Sequence, residues 1–268
     1  MITKKNNKSP LRYPGGKTRA CKILDEIFNE YYDVKSFDSI ISPFFGGGSF
    51  EFFIQNKYSY KIIANDKFHP LADFWKTCKN NNNELCCELF KQINKIDKKI
   101  FQEYRDTIME ETDILQKSIK YFIINRCSFS GATLSGGFSK EASKKRFTIS
   151  SIERIKKLNL NKFEIYNSDY YDFIECNYKK NNFIFLDPPY YLDKKSKLYG
   201  KNGDMHENFN HNKLFDCISK IDNWILTYNN CDFIKKLYKN FKIIETSWSY
   251  GMNKSKKSSE IIILSNKM

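Results

Sequence analysis

The sequence predicts an α/β fold on an open, mostly parallel sheet, interrupted by a helical insertion. Three observations carry this. Short apolar strands alternate with amphipathic helices at both ends of the chain. Between Leu71 and about Ile124 the helical stretches follow one another with no strand signal. Two strands stop abruptly: Ser39–Ser42 runs into Pro43-Phe44-Phe45-Gly46-Gly47-Gly48, and Asn182–Leu186 into Asp187-Pro188-Pro189-Tyr190.

Taken in order, Thr18 to Tyr32 places Cys21, Leu24, Ile27, Phe28 and Tyr31 at helical spacing. The strand Ser39–Ser42 leads through the glycine turn to a helix opening at Ser49, and the strand Tyr60–Asn65 ends at Asp66. Strand, glycine turn, helix, strand, acid is the pattern of an α/β nucleotide or cofactor site. Residues 127–150, rich in Ser, Gly, Lys and Arg, are too long for an ordinary connection and predict a functional loop or small hairpin. The alternation then resumes, with strands at Phe163–Tyr166, Phe183–Leu186 and Trp224–Thr227 and helices near 170–176, 211–221 and 232–238. Lys242–Ser247 and Glu260–Leu264 are expected to close the sheet as an antiparallel pair. Residues 1–75 and 160–268 thus form one discontinuous domain, and 76–159 an inserted one.

The chain has 268 residues, 41% hydrophobic and 16% aromatic, enough for a sizeable core and too much for disorder. No apolar run is long enough for a signal peptide or a membrane span, so an intracellular, soluble protein without a membrane partner is expected. Eight scattered cysteines and three histidines predict neither a disulfide framework nor a metal site. The net charge of +14 is unevenly spread. Residues 1–22 carry seven basic and no acidic side chains, residues 117–162 eleven against two, whereas 84–113 carry five against eight. Codon bias toward Lys explains the total but not the sorting, which points to a polyanionic, nucleic-acid partner.

Asp187-Pro188-Pro189-Tyr190 is the most specific motif. Two prolines end the ladder and hold an acid and an aromatic ring at the carboxyl edge of the sheet. Such a site suits transfer to a poor amine nucleophile. An exocyclic amino group needs acceptors on its hydrogens to localise its lone pair, and Asp187 with the carbonyl of Pro188 supplies two. Tyr190 offers a face for stacking on a flipped base and for shielding a cation.

The order Arg12-Tyr13-Pro14-Gly15-Gly16-Lys17, Pro43 to Gly48, Ala64-Asn65-Asp66, Asn125-Arg126 and Asp187 to Tyr190 resembles the Dam-type, alpha-group DNA adenine-N6 methyltransferases over nearly the whole chain. The resemblance implies a Rossmann-like methyltransferase fold. It implies S-adenosyl-L-methionine as methyl donor and double-stranded DNA as partner, with residues 76–159 as the target-recognition domain. It implies that Tyr13 and Lys17 contact the cofactor, Phe44, Gly46 and Gly48 wrap its methionine part, Asp66 holds the ribose and Asp169 faces the adenine ring. Asp187, lying beside the cofactor, Pro188 and Tyr190 are the implied catalytic group, and Tyr228-Asn229 falls against the flipped base. In the recognition loop Arg126, Phe129, Ser130 and Arg146 are expected on DNA, with Phe129 or Phe138 as a wedge.

Two departures stand out. Many members carry an acid where this chain has Ser42, and the arginine that reads guanine in GATC-specific members is replaced by Leu134. The recognition sequence is left open, CATG being one alternative to GATC. Membership of a restriction-modification or DNA-marking system, with a cognate endonuclease, is the expected context, in a bacterium or a phage- or virus-infected cell. A cytosine-N4 or RNA amino methyltransferase and a catalytically silent DNA-binding subunit are the alternative functions.

Overall fold

The computed structural model describes residues 7–131, 133–191, 209–249 and 257–267, with the side chains of residues 130, 247–249, 257–259, 266 and 267 left out. Its centre is a seven-stranded sheet in the order β3-β2-β1-β4-β5-β7-β6. β1 (Ser39–Ser42), β2 (Lys61–Asn65), β3 (Phe163–Tyr166), β4 (Asn182–Leu186) and β5 (Trp224–Asn229) run parallel. β7 (Lys257–Lys267) inserts antiparallel between β5 and β6 (Phe241–Ser249). The antiparallel closure agrees with the sequence expectation, and the placement of the last strand inside the sheet is new.

Every residue of β1 and β4 is buried, as is expected of central parallel strands covered on both faces. On one face α1 (Cys21–Tyr31) lays Phe28 against Phe183, with ring centroids 4.4 Å apart. α2 (Ser49–Tyr58) lays Phe50 against Phe185 at 4.5 Å. On the other face α9 (Tyr170–Asn177), α10 (His211–Ile218) and α11 (Asp232–Leu237) cover a second apolar cluster around Leu186, Trp224 and Tyr238.

The middle of the chain folds as α3 (His69–Asn80), α4 (Asn82–Lys91), α5 (Lys98–Thr107), α6 (Ile114–Cys127), α7 (Lys140–Lys145) and α8 (Ile149–Lys156). Their starts follow from local chemistry: Asp97, Asp113, Ser139 and Thr148 each accept a first-turn backbone N–H. The apolar core runs without a break from the sheet (Phe45, Ile62, Phe163) into these helices (Trp75, Leu85, Phe101, Phe122). Residues 127–150, expected as a functional loop or small hairpin, take the form of a loop. The segment closes through one bridge, Ser128 to Phe138, and otherwise consists of short 3-10 turns and α7, because Gly131, Gly136 and Gly137 interrupt any strand register. Among the described residues no helix is long and apolar enough to cross a membrane.

Trp75 joins the two parts of the molecule. It is fully buried, packs edge-on to Phe45 at 5.3 Å and donates Nε1–H to the carbonyl of Gly46 at 3.0 Å. Trp75→Ala is expected to destabilise the protein by about 3–5 kcal/mol, read by urea unfolding. A loss under about 1 kcal/mol would show that this joint carries little of the fold.

Candidate active site

β1 has β2 on one side and β4 on the other, and the chain reverses its direction of sheet growth between them. Open α/β sheets bind ligands at such a switch point, outside the carboxyl ends of the strands. Ser42 closes β1 there and Asp187 follows β4. Asp187 Oδ1 accepts the Thr227 hydroxyl at 2.7 Å and lies 2.8 Å from Lys17 Nζ. Lys17 comes from a 3-10 turn at residues 17–19, is only 3% exposed, and also donates to the Gly15 carbonyl at 3.0 Å. Its ammonium stands 4.9 Å from the centre of the Tyr190 ring and 3.9 Å from Glu260. The Tyr190 hydroxyl donates to Glu260 Oε2 at 2.6 Å. Burial, then the charges of Asp187 and Glu260, push the Tyr190 phenol well above its ordinary range, so it stays a neutral donor.

The glycine loop is held from three directions. Gly46 N–H donates to Asp66 Oδ2 at 2.9 Å, its carbonyl takes the Trp75 bond, and Tyr13 packs on it so closely that a Cβ there would lie 2.8 Å from the ring. Gly46 also has φ +50°, a conformation that favours glycine. Asp66 Oδ1 accepts Phe68 N–H at 2.9 Å, and burial raises this carboxyl to about 6 despite its two donors. Phe44 stacks in an aromatic group with Tyr170 and Phe209, at 5.3 and 5.6 Å. Gly48, with φ +66°, precedes α2. Pro188 is buried.

Other predicted residues take different parts. Asp169 caps α9 through Tyr171 N–H and pairs with Lys67 at 2.9 Å, so its carboxylate is turned to the protein. Tyr228 is fully buried, bonded to His211 Nδ1 at 2.8 Å behind Tyr190, and presents no face to a base. Arg126 corrects the expectation of a DNA contact. It is 6% exposed, donates to the carbonyls of Arg146 and Pro10 at 2.8 and 3.2 Å, and burial with Arg154, Arg12 and Arg146 nearby lowers it to about 10. Asn125 likewise exchanges two hydrogen bonds with the backbone of Arg12, at 2.7 and 2.9 Å. These two residues fasten the N-terminal segment rather than read DNA. Phe129 is 70% exposed, whereas Phe138 packs on Phe101 and Leu134 is buried. Arg146 is exposed, and the Ser130 side chain lies outside the described residues.

Sequence inspection missed Thr227, Glu260, Asn65 and Trp75. Glu260 in β7 pairs with Asn229 at the end of β5, so it falls at the carboxyl edge of the parallel strands, a placement visible only once β7 is paired with β5. Asn65 ties three loops together, donating to Pro43 and Ser168 carbonyls and accepting Ser168 N–H.

With this geometry in place, comparison with known proteins is informative. Residues 13–252 match the D12 class of N6 adenine-specific DNA methyltransferases. The chain is 25% identical over 259 residues to the type II methyltransferase M.MjaIII of Methanocaldococcus jannaschii, covering 87% of this chain and 88% of that one. It is 24% identical over 237 residues to the type II methyltransferase M.CviBI of Paramecium bursaria Chlorella virus NC1A, covering 85% of each.

Two expectations test the corrected roles. Arg126→Ala leaves two buried carbonyls without a donor and should cost about 2–4 kcal/mol in unfolding experiments, while the salt dependence of DNA binding stays at the parent's slope. A shallower slope would restore it as a phosphate contact. Glu260→Gln keeps an acceptor for Tyr190 but removes the charge beside Lys17. Turnover of DNA methylation should fall roughly tenfold at saturating substrates, and an unchanged rate would mean that this charge is idle.

Proposed function

The chain belongs to the D12 class of N6 adenine-specific DNA methyltransferases, and from that premise we propose that Asp187, Pro188 and Tyr190 carry the transfer of a methyl group from S-adenosylmethionine to an adenine turned out of the DNA duplex. The observation that supports this best is the arrangement at the end of β4. A carboxylate is fixed by Thr227 and Lys17 beside a neutral tyrosine ring that already has a cation near its face.

The cofactor supplies a methyl group activated by positive sulfur. The pocket suits a cationic ligand, because Asp187, Glu260 and Glu51 all lie in electrostatic reach of Lys17, leaving an excess of negative charge. Asp66, half-buried with a spare lone pair on each oxygen, is the partner for ribose hydroxyls. Tyr13 acts on the cofactor indirectly, by shaping the glycine loop.

The adenine amino group donates its hydrogens to Asp187 and to the Pro188 carbonyl, which turns the nitrogen lone pair outward. As the nitrogen gains positive charge, the fixed carboxylate and the Tyr190 face stabilise the transition state more than the ground state. Extrusion of the base costs a few kcal/mol, and the ring of Phe129, exposed and apolar, is the wedge in this proposal. Phosphate neutralisation falls to the exposed Lys140, Lys144, Arg146 and Arg154. A cognate endonuclease, by analogy with the type II names of its relatives, is the proposed partner system.

Asp187→Asn, which keeps a side chain of the same size beside Thr227 and Lys17, should abolish methylation of unmethylated DNA by labelled S-adenosylmethionine, while DNA affinity stays within a few fold. Label on adenine N6 after nucleoside digestion of the parent reaction, and none with the variant, is the expected result. Persistent transfer by the variant would remove Asp187 from the mechanism.

A further inference from the structure

Glu51 takes no part in the steps at Asp187, yet the fold keeps its carboxyl group 2% exposed in the first turn of α2, between the core residues Phe50 and Phe52. An apolar side chain would pack here at no electrostatic cost, so a retained buried acid calls for a partner. Its Oε1 accepts the hydroxyl of Ser42 at 2.5 Å, and Ser42 is the last residue of β1 at the switch point. The groups facing it are Ser42 from β1, Lys17 and the Cys21 thiol from the N-terminal segment and α1, and Asp187 from the end of β4. Burial pushes Cys21 up to about 12, so it is neutral, and the Lys17 ammonium lies at 2.8 Å from Asp187. Among the described residues no Lys, Arg or His forms an ion pair with Glu51.

The cofactor assigned above carries two positive groups. The sulfur must stand near Asp187, beyond β4. The α-ammonium is four covalent bonds away, a reach comparable to the spacing of about 4.8 Å between neighbouring strands, and the strand beside β4 on the cofactor side is β1. We propose that Glu51, oriented by the Ser42 hydroxyl, receives the α-ammonium of the amino-acid end of S-adenosylmethionine. This rests on the cofactor assignment under the proposed function and adds to it a residue and a proton. Burial raises Glu51 to about 7, with the Ser42 hydrogen bond opposing the rise. An arriving ammonium favours the ionised carboxylate. Binding therefore releases a proton near and below neutral pH, and affinity weakens as the solution is acidified through that range.

The test compares two unreactive nucleosides by calorimetry on the full chain: S-adenosylhomocysteine, which has the amino-acid end, and 5′-methylthioadenosine, which lacks it. Glu51→Gln should weaken S-adenosylhomocysteine by about tenfold to a hundredfold at pH 8 and leave 5′-methylthioadenosine unchanged. The parent should release a proton on binding S-adenosylhomocysteine at pH 6.5, measured as heat that varies with the ionisation enthalpy of the buffer, and the variant should not. Ser42→Ala keeps the acid but removes its oriented donor, so the pH at which affinity falls should move upward. Equal weakening of both nucleosides by Glu51→Gln, or no weakening of either, overturns the assignment to Glu51 alone. A parent chain that binds neither nucleoside overturns the cofactor assignment as well.

Discussion

The buried pair of Lys17 and Asp187 is the constraint on which the site depends. An ammonium 3% exposed is costly unless its donors are met, and Asp187, Gly15 and the Tyr190 face meet them here. The acid is fixed by β4, but the lysine is carried by a short segment before α1 that has no strand or long helix of its own. What holds that segment is the far end of α6. Asn125 pairs with the backbone of Arg12 as a strand neighbour would, and Arg126 takes the carbonyl of Pro10. The end of α6 and the acid after β4 are therefore joined mechanically, through two side chains that hydrogen-bond to backbone.

Gly46 is the second meeting point. Its N–H, its carbonyl and its missing Cβ are each used, by Asp66, Trp75 and Tyr13. A loop held this way is preorganised, and a ligand that contacts it need not supply the ordering itself. Asn65 repeats the device one strand over, bonding the loops after β1 and β3. The carboxyl edge of the sheet is thus a set of cross-braced loops, not three independent turns.

Much of this was legible in the residues. The parallel strands and their turns were readable because buried strands are apolar throughout and because Pro-Pro and Gly-Gly-Gly cannot continue a ladder. Asp66 and Asp187 were readable because each ends such a strand. Glu260 and Thr227 were not, since their place beside Asp187 depends on which strands pair, and pairing of β7 inside β6 leaves no trace in local pattern. Asp169 was legible as a helix cap and no further, because its pairing with Lys67 joins residues distant in sequence. Leu134 was singled out by the resemblance and Arg126 by motif and charge, and none of these says which side chains turn inward.

The arginines show what decides that turn. Arg126 was expected on DNA, yet it donates to the carbonyl of Arg146, as Arg12 does to that of Ser128 and Arg105 to that of Gly136. A planar guanidinium has five donors in a rigid fork, aimed in fixed directions, whereas a lysine offers three on one freely rotating ammonium. Around the loop, Arg12, Arg105 and Arg126 are spent on structure, whereas Arg146 and Arg154 stay exposed beside Lys140, Lys144 and Lys145. The exposed charge there is then chiefly lysine, on flexible stems and weakly directional. Beneath it lies the arginine-braced loop, with Phe129 left exposed.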